Sequence, residues 1–178
     1  MDEKTSLAAL HFCIIGTQHP RQRTSGLKNE MQSICERSHV VLIAEEVNAN
    51  APHSKQRTVG RDLAGTLRIH WLPIDMTFDE QRDACIFDDL EQEAASRMEG
   101  RNVYYTRANS MREDYWLQKI QDECVRLRIS AGTVLIICGR NHQEFVADKA
   151  AKLGVGKVEP VEYPKGLKEK LPPLEIMP

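Results

Sequence analysis

Apolar residues gather in short runs separated by longer amphipathic stretches. His11-Phe12-Cys13-Ile14-Ile15, Val40-Val41-Leu42-Ile43-Ala44 and Thr133-Val134-Leu135-Ile136-Ile137-Cys138 are unbroken enough to be strands covered on both faces. Leu67 to Ile74, with alternation at Leu67, Ile69 and Trp71, and Lys157 to Tyr163 read as two more. The stretches between carry helical spacing. Leu27, Met31, Ile34 and Cys35 follow a cap at Thr24 or Ser25. A short helix is expected over 55–64. Thr77-Phe78-Asp79-Glu80 has the form of a capping box and predicts a long charged helix to Glu99, ended by Gly100. Ser110-Met111-Arg112-Glu113 has the same form. It predicts a helix that starts there and carries Trp116, Ile120, Cys124 and Leu127, until Ala131-Gly132 breaks it. Asn141-His142-Gln143-Glu144 predicts a third cap, before a helix with Phe145, Ala147, Ala150, Ala151 and Leu153.

Strands separated by helices imply parallel pairing and crossover connections. The expectation is a single α/β domain over 1–163, a mostly parallel sheet flanked by helices, with a Pro-rich tail at 164–178 lying over the surface. A chain of 178 residues with 41% hydrophobic and 28% charged residues is ordinary for a globular protein. The net charge of −2, with both signs interspersed, gives no footprint for nucleic acid or an acidic membrane surface. The apolar runs are too short to span a bilayer, and Met1-Asp2-Glu3-Lys4-Thr5 does not read as a secretory signal. Five cysteines without a Cys-x-x-Cys pair read as reduced thiols, and a cytoplasmic protein is expected.

Parallel sheets build their sites beyond the carboxyl ends of their strands. There the chain repeats one short motif. Gly16-Thr17-Gln18-His19 and Gly139-Arg140-Asn141-His142 both put a His three residues after the Gly that ends an apolar run. Glu45-Glu46 follows the second run and Asp75 ends the third. Two histidines and a carboxylate suit a divalent ion, with Mn, Co, Fe and Zn as candidates. One of Glu45 and Glu46 would ligate or act as general base. If the strand continues through them, alternation keeps both from facing one site, and register does not choose between them. Arg112, read as a cation at the positive end of a helix, makes sense if it reaches an anion, either a substrate carboxylate or Glu46. Arg82 is a weaker candidate of that kind, and Asp75 is read as a turn cap with Thr77. His11, His39, His53 and His70 lack a matching context. Trp71, Trp116 and Tyr115 read as core or pocket wall. Phosphate loops, nucleophile elbows and His-Glu-x-x-His are absent from the sequence.

In their order, the two Gly-x-x-His motifs, Glu45-Glu46 and Met111-Arg112-Glu113-Asp114-Tyr115-Trp116 resemble the superfamily containing TraB/PrgY and TIKI proteins, ChaN and the erythromycin esterases. The resemblance spans roughly His11 to Leu153. It implies an α/β core and, for several members, hydrolysis. TIKI-like members are divalent-metal-dependent proteases, erythromycin esterases open a macrolactone with a histidine base, and ChaN-like members bind haem. Carried over by position, His19 and His142 match the motif histidines, Glu45 or Glu46 the glutamate, and Arg112 the arginine. The leading expectation is a small hydrolase acting on an ester or peptide bond. His19, His142 and one of Glu45 and Glu46 would hold the metal, the other carboxylate would accept a proton, and Arg112 would stabilise the oxyanion. The chain lacks the helical insertions of larger members, so the competing expectation is a non-catalytic protein-binding module, an inhibitor or immunity-type partner. A small-molecule or peptide substrate, a possible protein partner, no nucleic acid and no membrane complete the expected partners.

Overall fold

A computed structural model describes residues 7–18, 24–50, 57–86, 97–98 and 100–163. The described strands form a five-stranded, all-parallel sheet. They are β1 (Leu10–Thr17), β2 (Val40–Asn48), β3 (His70–Asp75), β4 (Gly132–Gly139) and β5 (Lys157–Glu162). The spatial order is β3-β2-β4-β1-β5, so β4 lies between β1 and β2 and hydrogen-bonds to both. The helices are α1 (Ser25–Arg37), α2 (Val59–Leu67), α3 (Phe78–Asp83), α4 (Arg101–Arg126) and α5 (Gln143–Lys152), with a 3-10 turn at Arg140–His142.

Alternation along each strand divides the core in two. Cys13, Ile15, Ile43, Leu135 and Ile137 face Leu27, Met31 and Ile34 of α1 and Val59, Leu63 and Ala64 of α2. Phe12, Ile14, Leu42, Ala44, Leu72, Ile74, Val134 and Ile136 face Trp116, Leu117, Ile120 and Cys124 of α4 and Val146 and Ala150 of α5. Both faces are covered, which is why the strands read as unbroken apolar runs. All five cysteines are free, and burial pushes the Cys13 and Cys124 thiols up to about 11. No helix among the described residues is long and apolar enough to cross a membrane.

Several elements depart from the sequence expectation. Leu67 ends α2 instead of opening β3, and it is exposed. α3 closes its capping box at Thr77 and Glu80 but ends at Asp83, with Cys85 at φ 54. Ser110-Met111-Arg112-Glu113 caps nothing, because α4 is already helical from Arg101 and runs through it. Gly100, at φ 87, holds the cap position before that helix, and most of the stretch expected to carry the long charged helix, 87–96 and 99, lies outside the described residues. In α5 the buried positions are Val146 and Ala150, whereas Phe145 is exposed. Asn141 does not cap it, since His142 holds the cap position without a side-chain bond. Arg82 is exposed and pairs with Asp79 at 3.3 Å. The Pro-rich tail from 164, His53 and His19 lie outside the described residues.

The 26 residues of α4 make it about 39 Å long. It runs antiparallel to β3: Arg112 meets Asp75 at the strand's end, and Glu123 pairs with His70 at its start. The turns before Arg112 therefore overhang the carboxyl ends of the sheet. There Tyr104 and Ala108 pack on Met76 and Ile86. The chain thus has a small helical cap beside its strand ends, where the sequence suggested none.

Candidate functional site

β2 continues as a strand through both glutamates, so they face opposite layers. Glu46 enters the α4 side at the strand ends. Its Oε1 accepts from Arg112 Nη2 at 2.7 Å, and its Oε2 accepts from the Gly139 N–H at 2.6 Å. Arg112 turns its fork to Asp75, with Nε to Oδ1 at 3.0 Å and Nη2 to Oδ2 at 2.8 Å. The Trp116 indole N–H also donates to Asp75 Oδ1, at 3.1 Å. A guanidinium suits this place because its planar fork engages one carboxylate bidentately while serving a second. Burial opposes the Arg112 charge, but Asp75 and Glu46 outweigh it and hold the group above its ordinary range. Asp75 is therefore a partner of Arg112 and Trp116; the turn it was expected to cap is closed by Thr77 and Glu80.

His142 completes the cluster. Gly139 ends β4 and the 3-10 turn carries the ring back over the strand ends, edge-on to Trp116 with centroids 4.9 Å apart. Nδ1 lies 2.8 Å from Glu113 Oε1, and Nε2 faces Glu46 Oε1 across 3.9 Å. Glu113, Glu46 and His142 side chains are only 3%, 1% and 8% exposed, so their polar contacts are made largely without water. A carboxylate only accepts, so the bond to Glu113 assigns a ring proton to Nδ1, and in the neutral ring Nε2 then turns its lone pair toward Glu46.

Glu113 was missed in the sequence because it was read as a capping residue. The signal was present: position 113 extends the apolar stripe of Trp116, Ile120 and Cys124 back by one turn, and a charge on a buried stripe needs a partner.

Glu45 lies outside this cluster. Within the α1/α2 layer its Oε2 accepts from the Thr58 hydroxyl and from Trp71 Nε1, while Oε1 is buried with no hydrogen-bond partner. Burial, partly offset by those two bonds, pushes its carboxyl up to about 7. Gly60 permits this approach: a Cβ there would fall 2.5 Å from Glu45 Oε2.

The first motif glycine, Gly16, lies inside β1 and not at a turn. The Gln143 side chain packs against it, so that a Cβ would meet Gln143 atoms at 2.6–2.9 Å. From there Gln143 Nε2 donates to Ile14 O on β1 and Val161 O on β5, both at 2.8 Å. The glycine thus makes room for a side chain that bonds to two strands.

The structure therefore brings together Glu46, Asp75, Arg112 and His142 of the residues singled out in the sequence, adds Glu113, and sets Glu45 apart. The described donors do not fit a metal. Glu46 shares the Arg112 cation with Asp75 and has both oxygens hydrogen-bonded, and within this cluster His142 Nε2 is the ring nitrogen without a hydrogen bond. No group of three His, Cys, Asp or Glu among the described residues could hold an ion.

No protein-family model matches the chain, and comparison with curated proteins and with solved structures found no significant match to either.

Proposed function

We propose that this site hydrolyses an ester or peptide bond with His142 as general base and without a metal. One observation carries the reading. Two acceptors, His142 Nε2 and Glu46 Oε1, face each other across 3.9 Å at the strand ends. Acceptors that close repel unless a donor lies between them, and in this reading a water donates one hydrogen to each. Such a water is aimed and ready for deprotonation.

In this reading the water oxygen attacks the carbonyl carbon as its proton passes to Nε2. The carbonyl electron pair moves onto the oxygen, and the hydrogens of Arg112 Nη1, unpartnered among the described residues, are the donors offered to it. Collapse breaks the bond to the leaving alcohol or amine, which takes the proton from Nε2. Glu113 holds the ring in one tautomer and faces the imidazolium while it exists. The overhang of α4 supplies a wall beside the site. The resemblance to the erythromycin esterases, with their histidine base, points the same way.

The test is hydrolysis of short-chain p-nitrophenyl esters and internally quenched peptides by wild type and His142→Asn. Asparagine keeps a donor toward Glu113 and deletes Nε2. The rate is expected to fall by roughly a hundredfold or more, with the melting temperature nearly unchanged and the wild-type rate indifferent to EDTA. No hydrolysis by wild type, or an undiminished rate in the variant, overturns the reading. Stoichiometric metal lost on substitution moves the site to the metal-dependent form of the family. A stable stoichiometric partner with no hydrolysis moves the chain to the binding-module class.

A further inference from the structure

Lys149 stands behind Glu113 on the side away from His142. It projects from α5 onto one face of α4, where Ser110, Glu113 and Asp114 share a turn. Its Nζ lies 2.7 Å from Ser110 O, 2.9 Å from Ser110 Oγ, 2.8 Å from Asp114 Oδ1 and 3.3 Å from Glu113 Oε2. The Glu113 carboxyl is therefore bracketed, with His142 Nδ1 on Oε1 and the ammonium on Oε2.

That bracket decides a proton. A carboxylate 3% exposed and stripped of Lys149, the ammonium paired with it among the described residues, is costly to keep charged. The inexpensive response is to protonate it. A protonated Glu113 becomes a donor toward Nδ1, which must then give up its own hydrogen. The ring proton moves to Nε2, and a base that carries a hydrogen there cannot accept one. The backbone and every heavy atom of the site can stay in place while the chemistry fails.

We infer that Lys149 is a positioning residue. By standing against Glu113 it holds His142 in the Nδ1-protonated tautomer and keeps Nε2 free to act as the base. The inference rests on the general-base reading of His142, but its primary readout is independent of activity.

The experiment is nitrogen-15 NMR of the His142 ring in the full-length protein at neutral pH, with Lys149→Met and Lys149→Arg beside wild type. Wild type and the arginine variant are expected to show the Nδ1-protonated pattern, and the methionine variant the Nε2-protonated one. Where esters are hydrolysed, kcat should fall on the order of a hundredfold in the methionine variant, with KM little changed and arginine restoring it. If the methionine variant keeps the Nδ1-protonated ring, the inference is overturned while the base assignment stands. If wild type itself lacks that pattern, the base assignment and the inference both fall. Should the methionine variant not fold, Lys149→Gln, which can still donate to Ser110 O, is read by the same criterion.

Discussion

Glu45 and Glu46 are neighbours in sequence, yet they meet opposite fates. Glu46 is buried against a guanidinium and a backbone N–H, and Glu45 is buried with one oxygen unserved. The first arrangement supports a charge in the interior; the second penalises one. Glu45 therefore gives the protein a pH dependence of definite sign. Its carboxyl titrates near 7 in the fold against 4.5 in its ordinary state, because burial disfavours the anion. The folded chain holds that proton longer than the unfolded one. The stability from this group is complete below about 4.5 and drains away as pH rises to about 7, by roughly 3 kcal/mol. Glu45→Gln should flatten that part of the curve and leave the protein more stable than wild type at pH 8. Urea denaturation across pH measures it, and an unchanged slope in the variant removes Glu45 as the cause. Strand alternation allows only one of the pair to face the site once the strand runs through both. Which one required β2 to be seen continuing past Ala44, an extension that the two charges concealed.

Elements were legible where burial wrote a period and misread where a local pattern imitated a boundary. Trp116, Ile120 and Cys124 gave the stripe of α4 correctly, since helix spacing and burial agree there. Its start was misplaced because Ser110 and Glu113 have capping-box spacing in mid-helix, where both are engaged across the interface: Ser110 with Lys149, and Glu113 with His142 and Lys149. A cap motif specifies an end only when the preceding residues do not already donate and accept within a helix. Phe145 misled in the same way, because a large apolar residue drew the stripe of α5 one position away from Val146. The two motif glycines stand in different settings, Gly16 inside β1 and Gly139 at the end of β4. At Gly16, Gln143 passes over β1 to the carbonyls of β1 and β5. Gly16→Ala should displace that side chain, strand two buried carbonyls and cost about 1–3 kcal/mol. Amide hydrogen exchange should quicken in β5 before β2. Equal protection of β5 in variant and wild type counts against this role.

At the scale of the molecule, the candidate site draws on the ends of β2, β3 and β4 and on two helices that cover one face. Its assembly depends on the strand order. β1 and β2 follow one another along the chain, yet they never touch, because β4 fills the place between them. The strand that joins the two halves of the sheet is thus made more than eighty residues after β2 is complete. A fragment ending at residue 131 should show no cooperative thermal transition by circular dichroism, although it contains three of the five strands. A sharp two-state melt would mean that the halves can pair without the missing strand. For a chain leaving the ribosome in order, the open flanks of β1 and β2 must wait through the whole synthesis of α4. Those flanks are the surfaces on which a growing chain is most exposed to mispairing, and the long helix lengthens that interval. Glu46 and Arg112 are translated well before the residues that complete them. No chain shorter than α5 carries the finished site, so any hydrolytic activity would be withheld until that helix has been made and docked.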